Sequence, residues 1–171
     1  MTDATTPASS PTSTPPPAAT NAPTADSKPE GKAPEPEPAD ELVSTRHTVT
    51  AESGRVLDYT ATTGRLVLRE EVYEDGVFTG HTAKAQVSMT SYVLEGLSAR
   101  ERTARPVTFA FNGGPGSSSV WLHLGLLGPR RVVMGDVGAL LPPPYALADN
   151  AQTLLAESDL VFIDPVSTGY S

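Results

Sequence analysis

The run Phe109-Ala110-Phe111-Asn112-Gly113-Gly114-Pro115-Gly116-Ser117-Ser118-Ser119 limits what this chain can fold into more than any other stretch. An alternating apolar pattern stops there at a glycine-rich turn and gives way to hydroxyls. Val107, Phe109 and Phe111 alternate with small Thr108 and Ala110, which is the period of a strand. Two adjacent glycines then remove every Cβ where a ligand could approach the backbone closely. Pro115 fixes φ and has no N–H, so the amides free to face a ligand are mainly those of Gly113, Gly114 and the residues from Gly116 on. Such a turn suits an anion, a phosphate included, but also a plain strand-to-helix junction in which serine caps free amides. Neither nucleotide signature is present: there is no G-x-x-x-x-G-K-[ST], and the glycines lack G-x-G-x-x-G spacing followed by an acidic residue. Acyl-transfer chemistry is the sharper functional reading that remains beside the structural one.

The stretch FAFNGGPGSSSVWLHLGLLGPRRV, together with SDLVFIDPVSTGYS, resembles the serine carboxypeptidase family of the α/β-hydrolase fold. The resemblance covers about residues 107–171 and rests on two motifs in the right order, the Asn-Gly-Gly-Pro-Gly turn and the Asp164-Pro165 turn, like the family's Asp-x-Pro-like turn, followed by Gly169-Tyr170-Ser171. It implies an α/β fold class, with antiparallel strands leading into the parallel strands and helix of a hydrolase sheet. It implies that Gly114 supplies one backbone N–H of an oxyanion hole, and that Asn112 and Gly113 bind the carboxylate at a peptide's C-terminus. Gly169 and Tyr170 fall on the substrate side through the second motif. Donors preformed around a tetrahedral oxyanion are worth on the order of 3 kcal/mol each. The activity implied is serine-type carboxypeptidase proteolysis through an acyl-enzyme, the partner is a peptide with a free C-terminus, and no cofactor is implied. Two positions depart from the family's pattern. Ser117 stands where many members have a disulfide-bonded cysteine, in a chain with no cysteine at all, and Leu126 stands where many have an acid in the carboxylate-binding network.

The triad is not in this segment. No G-x-S-x-G elbow occurs, and the family's nucleophile motif is expected beyond Ser171, so residues 45–171 are expected to be the first part of a longer enzyme domain. His47 and His81 sit in strand-like stretches and His123 on the helix after the turn, all as surface or packing residues. Ser117, Ser118 and Ser119 read as cap and turn hydroxyls, since no base is placed to activate them. Asp164 ends the apolar run Leu160-Val161-Phe162-Ile163, where it either initiates a turn or joins the functional groups that gather at strand ends. The runner-up function is a non-catalytic module in which the turn captures a carboxylate or phosphate. An esterase- or acyltransferase-like relative is also consistent.

Ten of the seventeen prolines fall before residue 40, in a Thr/Ser/Ala/Pro mixture that turns acidic. Such a segment buries too little apolar surface to offset its ordering entropy, so residues 1–44 are expected to be a disordered tail. The tail carries seven acids against two lysines, most of the net charge of −8. No basic stripe points to nucleic acid, no apolar run approaches a membrane span, and no secretory signal is visible, which favours the cytoplasm. Neither cysteines nor a His/Asp cluster suggest a metal.

From Arg46 the pattern is that of strands. Runs at 47–50, 56–60, 66–68 and 72–78 are punctuated by Ser53-Gly54, Thr63-Gly64 and Glu74-Asp75-Gly76, and a longer run follows at 83–94 with a phase change at Tyr92 that predicts a bulge. Residues 94–105 read as a charged surface connection. A strand is expected at 107–111, a helix at 118–127 with Val120, Trp121, Leu124 and Leu127 facing the core, and a fully buried strand at 160–163. If the sheet ended at Ser171, that last strand would lie partly unpaired at an edge.

Overall fold

The structure, a computed structural model, describes residues 37–113 and 116–171. The tail expectation therefore lies outside the described residues for residues 1–36. Residues 41–44, expected to belong to the tail, instead form the start of β1 (Glu41–Thr50). β1 pairs antiparallel with β2 (Val56–Glu74), and β2 with β3 (Val77–Leu94). Two of the expected turns are where the sequence puts them. Gly54 donates its N–H to Ala51 O between β1 and β2, and Asp75 and Gly76 both take positive φ (50° and 79°) between β2 and β3, as a tight hairpin matched to strand twist requires. The third is not a turn. Gly64 lies inside β2, opposite Leu42, where a Cβ would come 1.8 Å from the Glu41 carbonyl oxygen. The glycine allows close approach of β1 and leaves β2 continuous.

β3 carries no bulge at Tyr92. Its register with β2 runs unbroken from Met89 opposite Gly64 to Leu94 opposite Tyr59, while shifts occur earlier, leaving Lys84 and Thr79 unopposed. The phase change has another cause: Ala85, Val87 and Met89 face one side of the sheet, and Tyr92 and Leu94 the other, where the core lies. The connection after β3 is also more ordered than expected. It contains a helix, α1 (Ala99–Ala104), whose Ser98 and Glu101 form a reciprocal capping box.

After α1 come β4 (Val107–Ala110), α2 (Val120–Leu122), a small β5 (Arg130–Val132) and β6 (Leu147–Asp149) pair, and β7 (Asp159–Ile163). β7 enters the main sheet between β3 and β4, giving the order β1-β2-β3-β7-β4 in which only β4 and β7 are parallel. Strand 160–163 is thus paired on both sides and β4 is the edge, the reverse of the expectation.

The fold class expected from the family resemblance is corrected. The described chain is mostly β, 47% strand and 15% helix, a mixed five-stranded sheet with a two-stranded one, and not an α/β-hydrolase with helices packed on a sheet. The long β2–β3 hairpin dominates it, and the helices are too short to form a layer. The single helix expected at 118–127 is three α-helical residues followed by a π-helical turn, His123–Leu127, in which Gly128 N–H donates to His123 O. This wider turn changes which side chains face the sheet. Leu122 and Leu127 contribute to the core, whereas Trp121, expected inside, is 65% exposed.

One sheet face, with Leu57, Tyr59, Tyr92, Leu94, Leu160 and Phe162, is closed by Leu155 and the half-buried Leu122, Leu127 and Leu154. Burying a side chain such as Leu155 contributes about 1.5–3 kcal/mol relative to leaving it in water. A largely buried ion pair ties the sheet to α1: Arg105 Nε donates to Asp159 Oδ1 at 2.8 Å, and the same oxygen accepts from Leu94 N–H at 3.0 Å.

Candidate functional site

β4 and β7 are parallel neighbours, so the loops after them leave the same end of the sheet side by side. In open α/β sheets ligands bind outside the carboxyl ends of parallel strands, and β4 and β7 form the one such parallel pair among the described strands. The first loop contains Asn112, Gly113 and Ser117–Ser119, and the second contains Asp164 and residues 165–171. A cavity of about 280 Å³ opens between them, walled by Ser118, Ser119, His123, Phe162, Asp164 and Tyr170, with Thr63, Ser88 and Thr90 of the β2–β3 hairpin behind.

The turn is braced across its own width. Asn112 Nδ2 donates to Ser117 Oγ at 2.7 Å, and Asn112 N–H donates to Ser119 Oγ at 3.2 Å. Ser119, buried, in turn donates its hydroxyl to the Ile163 carbonyl at the end of β7. Ser117 thus braces the turn by hydrogen bonding. Ser118 Oγ accepts from Val120 N–H at 3.3 Å. These three hydroxyls act as cap and brace, as their sequence context suggests.

Asp164 organises the second loop. Its Oδ1 accepts from Ser119 N–H at 2.7 Å and its Oδ2 from Tyr170 N–H at 3.2 Å. Its backbone is anchored as well: Asp164 N–H donates to Ser88 O at 3.0 Å, and its carbonyl accepts from Ser171 Oγ at 2.6 Å. Ser171 Oγ then accepts from Ser88 N–H at 2.7 Å, stitching the loop to β3. Gly169 has φ +49°, and a Cβ there would fall 1.9 Å from Asp164 Oδ2 and 2.8 Å from Ser118 Cβ. Only glycine lets this loop close over the carboxylate.

His123 lies where α2 gives way to the π-helical turn. Its ring stacks on Phe162 with centroids 4.6 Å apart, and its Nε2 is 2.5 Å from the Tyr92 hydroxyl. Burial lowers its pKa to about 4, opposed only partly by the Asp164 carboxylate, so the imidazole is neutral at pH 7. Burial pushes the Tyr92 phenol up to about 12, which keeps it protonated. Beyond the π-helical turn, Asn150 Nδ2 donates to both Leu126 O and Gly128 O at 2.8 Å, and Thr153 Oγ1 to Leu127 O at 2.9 Å. Three carbonyls that a helix end leaves without partners are thereby satisfied.

Of the residues expected to act, Asn112 and Gly113 lie on the turn and Gly169 and Tyr170 on the facing loop, and of these four only Tyr170 lines the cavity. Gly114 lies outside the described residues. Tyr170 has its N–H held by Asp164 while its ring is 79% exposed at the cavity rim. Leu126 is exposed, with only its carbonyl engaged by Asn150. His47 and His81 lie on β1 and β3 and do not line the cavity. Thr63, Ser88 and Thr90 line it without any local sequence signal, since only strand pairing brings them there. Among the described residues no group of three or more His, Cys, Asp or Glu is placed to hold a metal ion, and no helix is long and apolar enough to cross a membrane. Comparison with protein-family models, curated proteins and solved structures finds no match to this chain.

Proposed function

We propose that the turn beginning at Asn112 serves serine-type carboxypeptidase chemistry, holding the C-terminal carboxylate of a peptide and one side of the oxyanion formed during acyl transfer. The observation that carries this reading is the convergence of the two motif-bearing loops, from adjacent parallel strand ends, on one cavity whose largely apolar wall is interrupted by Ser118, Ser119, Asp164 and Tyr170. Asn112 has two side-chain N–H donors, and the one not directed at Ser117 is assigned to the substrate carboxylate, together with Gly113. Gly114 N–H is assigned to the oxyanion on the strength of the family resemblance. The nucleophile and its base are assigned to no described residue, so in this reading they come from elsewhere.

The test is release of the C-terminal residue from a blocked dipeptide by the protein as its gene encodes it, with the dipeptide amide as control and a fluorophosphonate as inhibitor. Fluorophosphonate-sensitive release from the free acid alone is the expected result, and no release would overturn the reading. Within an active protein, Asn112→Ala should raise KM with little change in kcat, because it removes binding common to substrate and transition state. Gly114→Val should lower kcat about a hundredfold or more.

A second reading is favoured by the engagement of the hydroxyls of Ser117, Ser118, Ser119 and Ser171, and of His123 by Tyr92. It is a non-catalytic module in which the same turn captures a carboxylate. It predicts saturable binding of the blocked dipeptide acid, but not its amide, without hydrolysis.

A further inference from the structure

We infer that Asp164 is the positioning residue of this cleft: its carboxylate is a built-in anion that fastens the two loops together and so sets the shape of the Asn112 turn. The inference rests on the function proposed above for what the turn binds, but the fastening itself stands on geometry.

Ser119 N–H at the start of the helical segment and Tyr170 N–H of the facing loop converge from two separate parts of the chain. Each donates to a different oxygen of the same carboxylate. A carboxylate accepts at both oxygens, whereas the amide of asparagine must present an N–H to one of these two N–H groups. Charge as well as shape is therefore used. Ser119 passes the constraint on, because its hydroxyl accepts from Asn112 N–H and donates to the end of β7. The chain Tyr170–Asp164–Ser119–Asn112 thus runs from one loop to the residue assigned to the substrate carboxylate. Asp164 itself is held on the sheet by its backbone bonds to Ser88 and Ser171, so it forms a fixed post. Gly169 completes the arrangement by leaving room for Oδ2. Asp164 is accordingly no general base. It acts on the substrate through Ser119 and Asn112.

The experiment removes the anion and returns it from solution. Asp164→Asn keeps the side-chain shape, Asp164→Ala opens the space, and Gly169→Ala pushes on Oδ2 from the opposite side. In the protein as encoded, Asp164→Asn should raise KM for the blocked dipeptide about tenfold or more with little change in kcat, the split expected when a substrate-binding group is misplaced. Sodium formate should bring the raised KM of Asp164→Ala back toward the unaltered value, and formamide or matched sodium chloride should not. An unchanged KM in Asp164→Asn, or rescue by formamide equal to that by formate, would overturn the inference.

If the unaltered protein hydrolyses no such peptide, the proposed activity fails, and the fastening is then read directly. The amide proton resonances of Ser119 and Tyr170 should move upfield together in Asp164→Ala and return with formate. If Asp164→Ala does not fold, the Asp164→Asn and Gly169→Ala proteins carry the same amide readout. Resonances that stay in place in every folded variant would overturn the role of Asp164 whatever the activity.

Discussion

His123 couples the cleft to the sheet through Phe162 and Tyr92, and its protonation should be felt in stability. The folded-state pKa of about 4 lies below the ordinary histidine value near 6.5, so between these values the unfolded chain binds a proton that the folded chain excludes. The contribution of the neutral ring is complete above about pH 6.5 and is lost as pH falls toward 4. Between pH 7 and 5 this amounts to about 2 kcal/mol. Urea unfolding at the two pH values should show the loss, and His123→Gln should flatten that part of the profile. An unchanged profile in the variant would assign the dependence to carboxylates instead. Asn150 acts by hydrogen bonding alone. Its replacement by alanine leaves the Leu126 and Gly128 carbonyls without their donor and should cost about 3 kcal/mol, read by the same denaturation experiment.

At the scale of elements, the Arg105–Asp159 pair joins the end of α1, the end of β3 and the start of β7. Arg105→Leu should cost about 3–5 kcal/mol, because Asp159 is then left buried and charged with only Leu94 N–H as partner. Ser98→Ala should cost only about 1 kcal/mol, the loss of a cap on an exposed helix. Comparing the two by denaturant midpoint separates a tertiary staple from a local one. These elements also show what could be read in advance. The strand Val107–Ala110, the turns at Gly54 and Asp75-Gly76 and the position of the strand Asp159–Ile163 are local patterns with local causes, and they were legible; the full burial expected of that last strand is not met, since only Leu160 and Phe162 are buried. The capping box Ser98-x-x-Glu101 was written in the sequence just as plainly but was obscured by the charge around it. Gly64 and the phase change at Tyr92 misled because their causes are nonlocal. One is set by how closely β1 approaches, and the other by which sheet face is covered. The expectation for Trp121 failed for a third reason: an α-helical period was applied to a segment that widens into a π-helical turn. At the candidate site, the two loops were legible as motifs, whereas their fastening through Asp164 and Ser119 depends on the parallel placement of β4 and β7.

Across the whole molecule the two faces of the main sheet differ. One is closed by the core, while the other leaves Val107 and Phe109 more than half exposed around an apolar hollow of about 430 Å³ that also includes Val87, Met89 and Val161. Anilinonaphthalene sulfonate should bind this face and fluoresce. Phe109→Ser should reduce the signal while changing stability by no more than about 0.5 kcal/mol, since Phe109 is 61% exposed already. Undiminished fluorescence would place the dye elsewhere. The order β3-β7-β4 has a consequence for synthesis. The β2–β3 hairpin can close as soon as Leu94 is made, but β4 has its strand partner only once Ile163 exists. At about 5–20 residues per second that interval is roughly 3–10 s, during which the nascent Val107–Ala110 segment waits with its strand hydrogen bonds unmade. In the cell this would make β4 a natural point of chaperone engagement during translation.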